Sequence, residues 1–400
     1  MDRFYNGKLL RSGYTTGSCA TAATKAALVM LLTNETVETV QITVPTGQIL
    51  SLDVLEISKG NGRCSCAIKK NAGDDPDATN NLLIFSSVSF IPSTSNNNCK
   101  IIIDGGEGVG RVTLKGLDQS VGNAAINSVP RKMIKESVLE VLNKTDNSLI
   151  PVGDVQIIIS IPNGEAVAKR TFNPHLGIVG GLSVLGTTGI VDPMSSKALI
   201  ATFKSELSVY KEKGIEDFLL VLGNYGLDFA KDELDIEVKP YVMCSNYLGD
   251  TLDSAIENSM KNVLLIAHIG KLVKCAIGIL NTHSRHGDGR IEAFLRSALV
   301  CNAPLSCLKE IEVCATTDAV LEILVKYKIM EDVLENIKLR VLNTINKRCS
   351  GFLKVEVICF TKVEFDRFKR ADGNCKNLDK NNKVLFYTEG AKSLLHVNSN

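Results

Sequence analysis

Between residues 217 and 280 one pattern comes round three times: a short apolar run, a polar turn carrying glycine, then apolar residues at helical spacing. The first run is DFLLVL (217–222), ended by Gly223-Asn224-Tyr225-Gly226 and followed by a helical stretch over 227–234. The second is YVMC (241–244), ended by Ser245-Asn246-Tyr247-Leu248-Gly249 and followed by a helix over 251–260. The third is VLLIA (263–267), ended by His268-Ile269-Gly270-Lys271, with helix-like apolar spacing over 272–280. Successive strand–turn–helix units argue for a parallel sheet. The turns then converge at the carboxyl edge of its strands, where free backbone N–H groups and helix N-termini favour ligands. Asn281-Thr282-His283-Ser284-Arg285-His286 follows directly, so three of the chain's five histidines fall within about one such unit. Two readings stand: a functional cluster, or a buried strand–helix unit with a polar exit loop. Gly270-Lys271 is not a phosphate loop, which needs earlier glycines and a following Ser or Thr.

A chain of 400 residues exceeds one typical core, so two domains are expected. Its 44% hydrophobic and 22% charged residues are those of a soluble globular protein. A net charge of +1 carries no bulk signal for nucleic acid or an acidic membrane surface. The start lacks an apolar signal core and no run approaches a bilayer span, which predicts a cytoplasmic protein without a membrane partner. Homo-oligomerisation is left open. The twelve cysteines are scattered, with Cys64-Ser65-Cys66 the one close pair and no CxxC. Reduced thiols fit this better than a disulfide framework or a zinc site.

In the first half, Gly13-Tyr14-Thr15-Thr16-Gly17-Ser18-Cys19 precedes an Ala-rich helical run. Thr and Ser there either cap the helix and no more, or cradle an anion at its N-terminus. Alternation over 37–44 and 49–55 about Pro45-Thr46-Gly47 predicts a hairpin. Ala72-Gly73-Asp74-Asp75-Pro76-Asp77 reads first as a turn. If it is functional, positioning or proton transfer is expected over metal binding. An internal echo follows. Residues 101–103 and 157–159 are both Ile-Ile-Ile, and they lead to Gly106-Glu107-Gly108-Val109-Gly110 and Gly164-Glu165-Ala166-Val167-Ala168. The echo predicts two related hairpins, and its first copy lacks dinucleotide-loop spacing. The five glycines between Asn173 and Pro193 indicate a buried backbone that approaches a ligand, or tight packing between two domains. An amphipathic helix is expected over 195–213. Helices follow over 318–326 and 330–343, then a strand over 355–360 and a polar tail from about 369.

Several of these stretches together resemble the CbiD family, the cobalt-precorrin-5B (carbon-1) methyltransferases of the oxygen-independent cobalamin pathway. They are GYTTGSCA (13–20), AGDDPDAT (72–79), GEGVGRVT (106–113), AINSVPRKMI (125–134), the segment 173–193, GNYG (223–226), NYLG (246–249), HIGKLVK (268–274) and THS (282–284). They span about residues 11 to 290 in the family's order. The departures are Asn123-Ala124 where Glu-Pro is usual, Ala267 where Gly is usual, and Lys70-Asn71 where Lys-Asp is usual. The resemblance implies an enzyme that takes a methyl group from S-adenosylmethionine to carbon 1 of cobalt-precorrin-5B, giving cobalt-precorrin-6A. The fold expected is an α+β N-terminal domain with β-hairpins and helices over 1–195, on the tetrapyrrole side. An α/β Rossmann-like domain with a parallel sheet over 196–365 takes the donor side, and a polar tail covers 366–400.

Methyl transfer from a sulfonium is an in-line displacement that consumes a positive charge, so the protein mainly aligns and desolvates. The donor is expected along the three turns, at Gly223, Asn224, Gly226, Asn246, Gly249, Gly270 and Lys271. The substrate's carboxylates are expected at Thr15, Thr16, Gly17, Ser18, Arg131 and Arg285, with Lys271 also within this group. A general base, if the reaction needs one, is sought among His268, His283, Asp74 and Glu107. The cobalt travels with the substrate, and no protein metal site is expected. Two rivals remain. One is a tetrapyrrole carrier of the same fold that lost catalysis. The other is a metal hydrolase built on His283, His286 and Asp288.

Overall fold

Alanine sets the first unit's architecture. The Ala-rich run forms helix α1 (Thr16–Thr33), in which Cys19, Ala20, Ala22, Ala23, Ala26 and Ala27 are fully buried. Side chains this small let a helix lie close on a sheet: the Cys66 thiol donates to the Ala23 carbonyl at 3.2 Å, and the Thr24 and Ser86 hydroxyls meet at 2.8 Å. The computed structural model describes residues 3–5, 7–93, 99–236, 240–364, 378 and 381–397. The chain divides into two compact units, Met1–Ser196 and Lys197–Asn400.

In the first unit, β1 (Thr39–Thr43) and β2 (Ile49–Asp53) form the hairpin expected about Pro45-Thr46-Gly47. The main sheet follows from β3 (Leu55–Gly60), β4 (Arg63–Lys69), β5 (Leu83–Ile91), β6 (Ile101–Gly105) and, after helix α2 (Ser128–Lys144), β7 (Asp154–Ser160). Its order is β3-β4-β5-β7-β6, antiparallel except for the β7–β6 pair. Val155, Ile157 and Ile159 alternate inward from β7 and share a core with α1 and with Ile134 and Val138 of α2.

The two echoing segments are neighbours, but they are not two hairpins. After β7 the second copy forms a short helix, α3 (Gly164–Ala168), where a strand–turn–strand was expected. The difference follows from composition: Ala166 and Ala168 stand where the first copy has Gly108 and Gly110, and Ala favours helix over Gly by about 1 kcal/mol per residue. The copies meet at their glycines. Gly108 has φ +69°, and a Cβ added there would lie 1.9 Å from the Ile161 carbonyl oxygen.

The glycine-rich segment packs inside the first unit. Leu182 N–H donates to the Gly108 carbonyl, Gly110 N–H to Leu182, and Val184 N–H to Ala125. A Cβ on Gly181 would come 2.3 Å from the Gly108 carbonyl, and one on Gly186 would strike Thr15. Gly181 thus serves close backbone contact and Gly186 makes room for a side chain, both within the first unit.

The second unit opens with α4 (Ser196–Glu212) and β8 (Asp217–Val221), then α5 (Asn224–Asp228), which widens into a π-turn over Phe229–Glu233. Next come β9 (Tyr241–Met243), α6 (Leu248–Glu257), β10 (Asn262–His268) and α7 (Ile269–Leu272), which tightens into a 3-10 turn over Val273–Ile277. Helices α8 (Arg290–Val300), α9 (Leu305–Glu312), α10 (Thr317–Lys326) and α11 (Met330–Cys349) precede β11 (Lys354–Phe360). The stretch expected to be a polar tail contains β12 (Val384–Tyr387) and α12 (Ala391–Val397), and Val384, Leu385 and Phe386 are buried. Within that stretch, residues 366–377, 379–380 and 398–400 lie outside the described residues.

The sheet order is β9-β8-β10-β11-β12, parallel through β11, with β12 antiparallel at the edge. The apolar run of β10 is explained by burial on both faces. Val263, Leu265 and Ala267 enter one core, and Leu264 and Ile266 enter another. Because β8 lies between β9 and β10, the chain leaves it first to one side and then to the other. The strand order therefore reverses between β8 and β10, the place where sheets of this kind form a ligand crevice. No described helix is long and apolar enough to cross a membrane.

Candidate functional site

Lys271 ties the carboxyl edge together. It projects from the turn after β10, and its ammonium donates to the Leu222 carbonyl after β8 (2.8 Å) and the Ser245 carbonyl after β9 (3.2 Å). Burial lowers its pKa. All three turns expected to converge are thus joined through one cation, which acts on the protein's own carbonyls. Gly223 has φ +112°, a left-handed region that favours glycine, and a Cβ there would lie 3.6 Å from Lys271 Nζ. Gly226 is needed for another reason: its Cβ would sit 2.9 Å from the Ile266 carbonyl of β10.

His268 ends β10 and caps α7. Its Nδ1 accepts the Gly270 N–H at 3.1 Å. In a neutral imidazole that accepts at Nδ1, the proton resides on Nε2. Nε2 is buried and has no hydrogen-bond partner among the described residues. The His268 ring packs edge-to-face on Phe360 with centroids 5.4 Å apart and lies tilted to Tyr225 at 6.5 Å, and burial lowers its pKa. The Nδ1 lone pair that a general base would use is thus engaged by the Gly270 N–H, and in a neutral ring Nε2 is a donor.

Beside these turns lies a cavity of about 360 Å³ whose walls include Asn246, Gly270, Lys274 and Thr282. His283, Ser284, Asp288 and Arg290 complete them. The loop after the 3-10 turn closes onto the turn after β9: Thr282 N–H donates to the Asn246 carbonyl at 2.9 Å, and the Thr282 hydroxyl to Asn246 Oδ1 at 3.1 Å. Gly249 N–H donates to the Leu280 carbonyl at 3.2 Å. Lys274 has a side chain only 5% exposed, and its ammonium donates to the carbonyls of Thr282 (3.1 Å) and Gly287 (3.3 Å), with Asp288 at 3.8 Å. Asp288 is also gripped by Arg290, whose Nε and second guanidinium nitrogen donate at 2.5 and 2.7 Å. That guanidinium holds the Asp288 carboxyl below its ordinary range. His283 accepts the Arg285 N–H at Nδ1 (3.1 Å), and its pKa is lowered by desolvation and then by surrounding cations. Arg285 itself is exposed.

The remaining expected site residues belong to the first unit, and several are engaged there. Thr15 caps α1 by accepting the Ser18 N–H, while Gly17 N–H donates to the Leu185 carbonyl and the Ser18 hydroxyl to the Gly189 carbonyl. Thr16 is buried beside them. Of the two readings of this stretch the cap is present at Thr15, and the Gly17 N–H and Ser18 hydroxyl that could face an anion are engaged by the glycine-rich segment. Arg131 fans out to the carbonyls of Ile126 (2.8 Å), Ile103 (2.9 Å) and Ala124 (3.3 Å), so it staples backbone where a substrate carboxylate was expected. Asp74 accepts the Arg11 N–H at 2.7 Å and pairs with its guanidinium at 3.0 Å, which lowers its pKa and weakens it as a base. Glu107 is exposed.

His283, His286 and Asp288 do not assemble into a metal centre. Among the described residues no group of three or more His, Cys, Asp or Glu side chains is placed to hold a metal ion. Sequence reasoning missed Lys274 and Arg290 as parts of the second unit's cavity. A signal was present for the first: a lysine inside an apolar stretch is buried only when it is paired.

Two family models match: CbiD over residues 3–193, and the CbiD C-terminal domain over residues 281–366. The cobalt-precorrin-5B C(1)-methyltransferase of Ruminiclostridium cellulolyticum is 42% identical over 98% of this chain and 96% of its own. That of Alkaliphilus metalliredigens is 48% identical over 73% of this chain and 75% of its own. A crystal structure of the cobalamin biosynthesis protein (cbiD) from Archaeoglobus fulgidus aligns with 24% identity and a TM-score of 0.38, covering 72% of this chain and 87% of that one. On the family matches and the near-full-length identity, the chain belongs to the CbiD family.

Proposed function

We propose that this chain is a cobalt-precorrin-5B C(1)-methyltransferase of anaerobic cobalamin biosynthesis, acting in the cytoplasm with S-adenosylmethionine as donor and giving cobalt-precorrin-6A. The observation that carries the reading is the carboxyl edge of the second unit. Three turns converge there on Lys271, with a buried donor at His268 that has no partner among the described residues and a polar cavity alongside, in a chain aligned end to end with a relative named for this reaction. We read the second unit as Rossmann-like, with the donor at the split between the β8 and β10 turns. Tetrapyrrole recognition is assigned to the first unit, by residues other than Arg131, Thr15, Gly17 and Ser18.

The bound donor supplies an already activated methyl group. What the chain's residues add is placement. Gly223 and Gly226 hold the first turn, with Asn224 between them, while Asn246, Gly249 and Gly270 shape the other two. Lys271 fixes all three relative to one another. The positive charge of a sulfonium is lost on reaction, so a nearby anion would stabilise the ground state more than the transition state. His268 fits this requirement: it is neutral, it donates through Nε2, and it can orient an acceptor on the donor without adding charge. His283 also carries its proton on Nε2 when neutral, because its Nδ1 accepts a backbone N–H.

Calorimetric titration with S-adenosylhomocysteine, alone and with the tetrapyrrole present, tests the reading. Micromolar binding in either condition supports a methyltransferase. Tetrapyrrole binding without donor binding in both would instead support the non-catalytic carrier.

A further inference from the structure

The cavity beside the β9 and β10 turns has walls unsuited to an adenine ring. Small-molecule pockets that hold aromatic bodies are lined mostly by apolar and aromatic side chains. This one presents amide, hydroxyl, imidazole, ammonium, guanidinium and carboxylate groups, with Gly270 as its only non-polar residue. It carries charge of both signs: Lys274 and Arg290 against Asp288. Lys274 is a buried cation fixed in place by two carbonyls. Two uncommitted polar groups complete the set. Asn246 uses its Oδ1 to accept from Thr282, and its Nδ2 donors have no partner among the described residues. The Ser284 hydroxyl likewise makes no hydrogen bond to a described residue and is exposed at the cavity. Asn246 and Gly270 belong to two of the turns at the carboxyl edge, so the cavity is continuous with the proposed donor site.

We propose that this cavity binds the zwitterionic amino-acid end of the methyl donor. Its carboxylate is received by Arg290, Lys274 and the Asn246 amide, and its ammonium by Asp288 and the Ser284 hydroxyl. The assignment rests on the methyl-donor reading above and adds which end of the donor goes where. Paired opposite charges suit a ligand that itself carries one of each, since each ligand group then finds a charge-assisted partner.

Two probes separate the ends. S-adenosylhomocysteine carries the amino-acid group, and 5′-methylthioadenosine lacks it. Affinities for both are measured by calorimetry, with cobalt-precorrin-5B added if the free protein binds neither. Wild type should bind S-adenosylhomocysteine the more tightly. Asp288→Asn and Arg290→Gln should each weaken S-adenosylhomocysteine about tenfold while changing methylthioadenosine less than about twofold. Ser284→Ala, at an exposed side chain with no partner among the described residues to lose, is the mildest of the three and should cost about threefold on S-adenosylhomocysteine alone. Equal losses for both probes, or none for either, would overturn the assignment while leaving the methyltransferase reading intact. Failure of wild type to bind either probe in both conditions would remove that reading and the assignment with it.

Discussion

His268 divides two roles between its ring nitrogens. Nδ1 caps α7 by accepting the Gly270 N–H, and Nε2 is left as a buried donor with no partner among the described residues. Asparagine can cap through Oδ1 but is too short to place a donor where Nε2 lies, so His268→Asn should keep the fold and weaken donor binding about tenfold, as calorimetry and melting would read. His268→Ala removes the cap as well and should cost a further ~1 kcal/mol of stability. The burial-lowered pKa fixes the sign of the pH effect. The unfolded chain takes up a proton near the ordinary value of 6.5, while folded His268 resists until a lower pH. Stability supplied by this residue is therefore full above pH 6.5 and declines as pH falls toward the folded pKa. His268→Asn should flatten that part of the profile. Lys271 is a simpler case: Lys271→Met leaves the Leu222 and Ser245 carbonyls without their donor and should destabilise the second unit by ~1–3 kcal/mol in denaturant titration.

At the scale of elements, close backbone contact governs what is tolerated. Gly226→Val puts a branched side chain against the Ile266 carbonyl of β10 and should lower stability by ~1–3 kcal/mol, visible in the melting temperature of the donor-free protein. Helix α4 carries an unusual acid. Burial pushes the Glu206 carboxyl up to about 7 from an ordinary 4.5. A raised folded pKa means stability present below pH 4.5 is lost as pH rises toward 7. Glu206→Gln should therefore match wild type near pH 4.5 and exceed it above pH 7, by up to ~3 kcal/mol, when the two are melted across that range. The elements also show where reading the sequence stopped short. The three strand–turn–helix units and the β1–β2 hairpin were legible because each depends on local periodicity and turn chemistry. The echo misled because two glycine-to-alanine exchanges convert the same pattern into α3. The apolar VLFY of β12 was lost inside a polar tail, since a short strand's pairing with β11 is a long-range fact.

For the molecule as a whole, the candidate site was legible in outline and misjudged in detail. Glycine turns announced the carboxyl edge, and family motifs marked most of the residues around it. Which polar groups face a ligand and which face the chain's own carbonyls was not legible, because both uses call for the same residue types. Arg131, Thr15 and Ser18 look like anion ligands in sequence, yet they hold the first unit's backbone together. Lys274 looked like part of an apolar helix, yet it lines the cavity. The account stands or falls on methyl transfer itself. The direct measurement is incubation of the purified chain with cobalt-precorrin-5B and S-adenosylmethionine labelled with carbon-13 in its methyl group, followed by NMR and mass spectrometry of the tetrapyrrole. The account predicts one labelled methyl group on carbon 1 and an equal amount of S-adenosylhomocysteine. Tetrapyrrole recovered unlabelled, from a folded protein that binds it, would contradict the account and leave a carrier in its place.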